Sequence, residues 1–419
     1  MTENLDGIKN KGLDYLKAVF GEGAVEYAVD CTSKFMIEVP AWQLWDGFGG
    51  GGRFEGAGAS GIAHTTVEIA EDAGMIQRLT KSTPEIGQHI LWYFSEDGVT
   101  GDYDLAVQIK RELEANGVKM GSISPTYFLA GSEDGSFSSQ DAIIRKGYVE
   151  QTLFGASIAA ELGNGLLTLW FPDGTNYPGQ RALQEKIGLM KECAVAFWDA
   201  VPAETKSALD KVLYEYKVFE PGTYSTTVPD WGTARELSRT AGDKGGVLVD
   251  MGHHHHGTNI EQIVSTLITF GVHGGFHFNT RYAADDDHSV QGDYEMARLF
   301  GELFRGNVIF NEDSSKNWAY ALDQMARTEQ RIPSILKSID ALKRSVAKAA
   351  LVNTGDLTAL QKRMDMIGSN TEYEKALLHT DTAPIVMEAY ARQGLHPVPL
   401  IAYAESGYQD EIESKRSLR

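Results

Sequence analysis

Residues 245–287 read GGVLVDMGHHHHGTNIEQIVSTLITFGVHGGFHFNTRYAADDD. An apolar run, Val247, Leu248 and Val249, ends on Asp250, with His253 three residues on. Thr258 and Glu261 match a T-x-x-E capping box, which predicts a helix start. Ile260, Ile263, Val264, Leu267 and Ile268 then recur with a helical period, and Gly271 provides a stop. A second short strand over 275–279 (GFHFN) leads into the carboxylates Asp285, Asp286 and Asp287. Strand, loop, helix and strand in this order call for parallel strands joined by a right-handed crossover. The polar residues cluster just after each strand, the ligand-binding edge of a parallel α/β fold.

The same alternation runs outward in both directions. Strands are expected at 34–39, 89–93, 118–124, 165–170, 212–218, 247–250, 275–279 and 317–323. Helices are expected at 105–113, 143–162 and 182–198. Roughly eight strands separated by helices match a (β/α)8 TIM barrel, placed at 34–350. Residues 1–33 form an N-terminal helical segment with Leu13, Leu16, Val19 and Phe20 as its apolar stripe. Past Asp323, the residues Ile332, Ile335, Leu336, Ile339, Leu342 and Val346 repeat at helical spacing. Residues 351–419 are read as a C-terminal helical extension that packs on a neighbouring subunit. A glycine-rich loop, FGGGGRFEGAGASG at 48–61, lacks the G-x-x-x-x-G-K-[ST] phosphate pattern and is read as able to close over a ligand.

The chain has 419 residues and a formal charge of −20, from 58 acidic against 38 basic residues. With no basic stripe, a nucleic-acid partner is not expected. Two cysteines, Cys31 and Cys193, exclude a disulfide framework and fit a reducing cytoplasm. The first residues lack the apolar core of a signal peptide, and no apolar run is long enough for a bilayer.

Barrel closure brings the strand ends together on one face. The residues so gathered are Trp42, His89, Trp170, Asp173, Glu215, Lys217, Asp250, His253, His277, Asp285, Asp287 and Asp323. Glu215 and Lys217 are i and i+2 in one strand and share a side, which fits a buried salt bridge as well as a site. With Asp250, His277 and Asp323 added, three carboxylates face one another and repel unless a cation lies between them. Three carboxylates and one imidazole suit Mn²⁺, Mg²⁺ or Co²⁺ better than a structural zinc site. His253, Asp285 and Asp287 form a second candidate ligand set, although such an acidic loop also suits solvent or a helix N-cap. In the run His253–His256 the first is read as part of the site and the others as exposed or hydrogen-bonded. Trp42, Trp45, Phe54, Trp92 and Trp170 offer flat apolar faces, either for a sugar ring or, above all for Trp45, as rim packing. His89 fits a pocket residue or a satisfied core histidine.

These residues bring a resemblance with them. The chain is similar to the L-rhamnose isomerases of the bacterial broad-specificity type, within the xylose-isomerase-like barrels. The matching stretches are IEVPAW with the downstream RF, HILW, LTLWFPDGTNYPGQ, LYEYKVFEP, VLVDMGHHHHGTNIEQIVSTLI, GGFHFNTRYAADDD, YALDQ and, near the C-terminus, HPVPLIAYAESGYQDEI. The glycine-rich loop and the segment MARTEQ after Gln324 depart from the family's usual pattern.

The resemblance implies two divalent metal ions per subunit, Mn²⁺ first, with Co²⁺, Mg²⁺ or Zn²⁺ as alternatives. Glu215, Asp250, His277 and Asp323 would hold one, and His253, Asp285 and Asp287 the other. It gives catalytic roles to Lys217, Asp323 and His253, and a sugar pocket to Trp42, Phe54, His89, Trp92, Trp170 and Lys217. It implies a small-molecule sugar substrate, a homotetramer, and aldose–ketose isomerisation of L-rhamnose or a related aldose. The family favours hydride transfer between C1 and C2, and an enediol route stays open. Ligand histidines must be neutral, so metal should be lost as pH falls through about 6. The rival readings are a metal-dependent barrel hydrolase or endonuclease acting on phosphates, a metal-dependent barrel hydrolase or epimerase on another carbohydrate, and a non-catalytic metal-binding protein that uses the histidine run.

Overall fold

The structure is a computed structural model that describes residues 4–45, 60–90, 101–129, 131–220, 222–281, 288–325 and 329–416. Eight parallel strands lie in chain order: β1 (Val39–Pro40), β2 (Glu85–His89), β3 (Lys119–Ser124), β4 (Leu166–Trp170), β5 (Lys211–Glu215), β6 (Gly245–Asp250), β7 (His273–Phe278) and β8 (Ala319–Leu322). The ladder closes because Glu38 N donates to Tyr320 O at 2.9 Å and Leu322 N donates to Glu38 O at 2.9 Å. This is the expected (β/α)8 barrel. Its crossover helices include Thr66–Thr80, Tyr103–Ala115, Ala142–Glu161, Leu183–Ala200, Trp231–Ser238, Ile260–Thr269 and Tyr294–Arg305, and Arg331–Ala350 follows β8.

Side chains alternate in and out along each strand, and the inward set changes character from one end to the other. Leu166, Leu213 and Leu248 form a small apolar plug of their own, with Ala319 against it. Two residues further along the same strands stand Thr168, Glu215, Asp250 and Ala321. Two further on come Trp170, which ends β4, and Lys217, just past the end of β5. The plug explains one glycine of GGFHFN: a Cβ on Gly275 would lie 2.6 Å from Leu213 and 3.0 Å from Leu248. The polar layer therefore rests on an apolar floor at the C-terminal ends of the strands, where barrel sites form.

Several boundaries differ from the sequence reading. Residues 34–39 do not form one strand. Helix Glu22–Lys34 runs to Lys34, whose ammonium pairs with Asp30 at 2.7 Å. The strand begins only where neighbours exist on both sides. β2 ends at His89 instead of starting there, since Glu85–His89 carries the ladder to β3 and Ile90 already turns away. Residues 91–93 of the expected strand lie outside the described residues. Helix Ile260–Thr269 is capped by Asn259, whose side chain accepts from Gln262 N at 2.9 Å. Thr258 therefore lies outside the helix and forms no capping box with Glu261, which pairs with Arg298. The N-terminal segment is two helices, Leu5–Phe20 and Glu22–Lys34, broken at Gly21, whose φ of 86° suits glycine. Helix Ala383–Arg392 packs on both of them and on Arg331–Ala350, and Pro399–Glu405 packs on Arg331–Ala350 and Thr66–Thr80. Among the described residues no helix is long and apolar enough to cross a membrane.

Candidate metal centre

Each ligand candidate arrives on a different strand. Glu215 ends β5, Asp250 ends β6, His277 is next to last in β7, and Asp323 follows β8. One ligand atom from each lies within 4.8 Å of the other three. His277 Nδ1 is 3.3 Å from Glu215 Oε1, 3.3 Å from Asp323 Oδ2 and 4.0 Å from Asp250 Oδ2. Glu215, Asp250 and His277 are buried, while Asp323 is part-exposed toward the mouth. A hard dication with oxygen and imidazole donors fits such a set.

Burial alone would raise Glu215, yet the imidazoles of His277 and His253 bring it down to about 2. Burial alone would lower His277, yet Glu215 and Asp323 lift it well above the ordinary imidazole range. Glu215 and His277 thus each favour the charged form of the other.

His253 Nδ1 lies 3.0 Å from Tyr216 O and 3.2 Å from Glu215 Oε1, beside the cluster. An Nδ1–H donated to the Tyr216 carbonyl leaves Nε2 with its lone pair for a ligand. Its partners in the second expected set, Asp285 and Asp287, lie outside the described residues. So do the pocket candidates Phe54 and Trp92.

A cleft of about 150 Å³ opens above the cluster, lined among others by Trp42, His89, Trp170, Lys217, Glu220 and His253. Every described pocket candidate therefore borders it. Trp42 does more than line the wall: its indole N–H donates to Asp323 Oδ1 at 2.8 Å. Burial pushes His89 down to about 4, so it is neutral, and its Nδ1 lies 2.9 Å from Thr126 Oγ1. The Trp42 and Phe128 rings stand edge-on to it. Trp170 stacks on His253 and carries the Lys217 ammonium 5.6 Å from its ring centre.

Some gathered residues prove structural. Asp173 accepts from the backbone and hydroxyl groups of both Ser136 and Ser138, at 2.6–3.0 Å, and pins a loop. His254 is bonded to Tyr216 Oη at 2.6 Å, while His255 and His256 are exposed. Other residues were missed. Asn279 Nδ2 lies 3.0 Å from both Asp250 oxygens and orients that carboxylate. Its signal was available, two residues after His277 and just past the end of β7. Ser124 and Thr168, hydroxyls 2.5 Å apart, also border the cleft.

The sequence model of the L-rhamnose isomerase family matches residues 50–398. The chain belongs to the L-rhamnose isomerase family. Within the family's wider neighbourhood, it is 31% identical over 397 residues to a probable sugar isomerase of Mesorhizobium japonicum, covering 92% of this chain and 87% of that protein. It is 32% identical over 398 residues to a probable sugar isomerase of Rhizobium meliloti, with the same coverage. An L-rhamnose isomerase of Mannheimia succiniciproducens is 26% identical over 373 residues, covering 81% of this chain and 82% of that protein. Membership of this sugar isomerase family accords with a buried Glu/Asp/His cluster able to hold a metal ion.

Proposed function

We propose that this protein is a metal-dependent aldose–ketose isomerase that converts L-rhamnose, or a related aldose such as L-mannose, L-lyxose or D-allose, to its ketose. The observation that carries this reading is the convergence of Glu215, Asp250, His277 and Asp323 beneath an aromatic-walled cleft, in a chain of the L-rhamnose isomerase family. Glu215, Asp250, His277 and Asp323 would hold one divalent ion, and His253 with Asp285 and Asp287 a second. Mn²⁺ is the first choice, with Co²⁺, Mg²⁺ or Zn²⁺ as alternatives. Bound there, such an ion supplies Lewis-acid polarisation of the sugar oxygens, worth several kcal/mol in the transition state.

The chain's own residues do the remaining work. Trp170 and Trp42 present flat walls to an open-chain sugar and narrow the access of water. Lys217 stabilises negative charge developing on the oxygen at the reacting carbons. Asp323, its carboxylate fixed by the Trp42 indole, takes up the O2 hydroxyl proton, directly or through a water, and returns it to O1. Hydrogen moves from C2 to C1. The reaction is internally balanced, with C1 reduced, C2 oxidised and no outside oxidant consumed.

Two buried free cysteines support a reducing, cytoplasmic setting. Membership of the L-rhamnose isomerase family supports a homotetramer.

The test is isomerisation of L-rhamnose by chelator-stripped protein resupplied with Mn²⁺, Co²⁺, Mg²⁺ or Zn²⁺ singly. Metal-restored formation of L-rhamnulose is expected. Full turnover by the stripped protein, or no metal binding, would overturn the reading.

A further inference from the structure

Trp42 and Asp323 meet in the cleft, and the residues that follow them in the chain, Gln43 and Gln324, meet on a single hydroxyl behind it. Gln43 Nε2 donates to Ser334 Oγ at 2.8 Å, and Gln324 Nε2 donates to the same oxygen at 3.3 Å. Ser334 stands in helix Arg331–Ala350, and its hydroxyl donates to Arg331 O at 3.2 Å. A hydroxyl has one proton and two lone pairs, so this one is fully used. One turn on, Ser338 Oγ donates to Gln324 Oε1 and accepts from Val290 N at 3.0 Å. Gln43, Gln324, Ser334 and Ser338 are all buried.

Stability alone does not account for this arrangement. Gln43 is fully buried, yet its Oε1 has no hydrogen-bond partner among the described residues. A half-satisfied amide is a costly way to fill a core position, where a methionine of similar size would leave nothing unpaired. What the amide supplies is direction. Ile335, Leu336 and Ile339 of the same helix join the apolar core, but such contacts are non-directional and let packed elements slide. Neighbouring residues share a planar peptide. Holding Gln43 and Gln324 on one oxygen therefore sets the exits of β1 and β8 against each other. That spacing places the Trp42 indole 2.8 Å from Asp323 Oδ1.

We propose that Ser334 is a positioning residue for the Trp42–Asp323 pair, acting through Gln43 and Gln324. It fixes the indole, so that Asp323 keeps one orientation, with Oδ1 held by Trp42 and Oδ2 toward His277. Asp323 then meets cation and substrate in a single geometry. The inference rests on the isomerase reading for what Asp323 does, though not for what holds it.

The experiment compares wild type with Ser334→Ala, the conservative Ser334→Thr, Gln43→Met and, as a control, Ser345→Ala. Ser345 is a buried serine of the same helix whose hydroxyl donates to Ala341 O within that helix. The first measurement needs no turnover: ¹⁹F NMR of fluorotryptophan-labelled protein loaded with Mg²⁺, with the Trp42 line identified by its absence from Trp42→Phe. The line should move or split in Ser334→Ala and Gln43→Met, return toward its wild-type place in Ser334→Thr, and stay put in Ser345→Ala. The second is kcat for L-rhamnose with added Mn²⁺. It should fall about tenfold in Ser334→Ala and Gln43→Met with KM changed by less than about twofold, and Ser334→Thr should recover most of it. Gln43→Met should do this without lowering the unfolding midpoint, which separates position from stability. A Trp42 line that Ser334→Ala and Gln43→Met leave in place, an unchanged kcat, or equal effects from Ser345→Ala overturns the positioning role. If Ser334→Ala does not fold, Gln43→Met carries the same test. If wild type turns over no sugar, the isomerase reading fails while the Trp42 line still decides what Ser334 holds.

Discussion

Among the described residues, buried carboxylates at the barrel flank and at the barrel mouth differ in how they are answered. On the flank of the barrel, Asp72 accepts from Arg416 at 2.8 and 3.0 Å and from the Tyr408 hydroxyl at 2.8 Å. Here the chain supplies both the charge and its answer, which locks the last helix, Tyr408–Arg416, onto Thr66–Thr80. At the barrel mouth, Glu215, Asp250 and Asp323 gather around His277, which Glu215 and Asp323 hold toward its charged form. Burying like charges is costly. A fold that keeps such a cluster retains it for a partner from outside, while a self-neutralised cluster is a fastening.

The contrast can be broken most decisively at the mouth. Glu215→Gln should remove most cation binding and lower kcat by about 10³-fold, the scale of several kcal/mol of Lewis-acid stabilisation. Metal analysis and turnover on the resupplied protein check this. Retention of both would place the cation elsewhere.

Next come the unequal costs expected for stability. Arg416→Ala strands Asp72 and should cost about 3–5 kcal/mol in urea unfolding. In chelated protein, Glu215→Gln takes away a charge that His277 and His253 favour, so it should lower the unfolding midpoint by less, because Asp323 still faces His277. Equal destabilisation by both would erase the distinction between fastening and site.

A smaller effect belongs to Asn279→Ala. Releasing the Asp250 carboxylate should weaken cation affinity about 10- to 100-fold while leaving the ligands in place. Isothermal titration with Mn²⁺ reads it, and an unchanged affinity would reduce Asn279 to packing.

The gentlest probe is pH. His277 is held well above the ordinary imidazole range by Glu215 and Asp323, so an incoming cation must displace its proton. Affinity should fall about tenfold per pH unit below that raised value. Weakening therefore begins above the pH of about 6 expected from an unperturbed imidazole. Glu215, held down near 2, adds no competing proton in that range. In chelated protein the sign reverses. A raised histidine contributes stability that is complete below its unfolded value of about 6.5 and is lost as pH rises through the folded one. Metal affinity and apo stability that moved together with pH would contradict this.

Much of the site was legible because a strand has period two and barrel strands end on one face. Glu215, Lys217, Asp250, His277 and Asp323 follow from that rule alone. The same rule did not separate Asp173 from them, since a strand-end aspartate looks identical whether it meets a cation or four serine donors. Nor did it assign Trp42 to Asp323, a bond between residues 281 positions apart that exists only because β1 and β8 close the barrel. The capping box failed for a local reason: Asn259, adjacent to Thr258, is as good a cap and starts the helix one residue later.

By itself, the sequence determined the alternation of strand and helix, the acidic balance, and the residue types available at the strand ends. Those properties are short-range, set by side-chain period and composition. The tertiary structure alone decided which carboxylates share a centre, which are neutralised by the chain's own arginine, and which indole, amide or carboxylate steadies each working group. Those depend on strand register and on closure between the first and last strands, where a shift of one residue would turn every inward group outward.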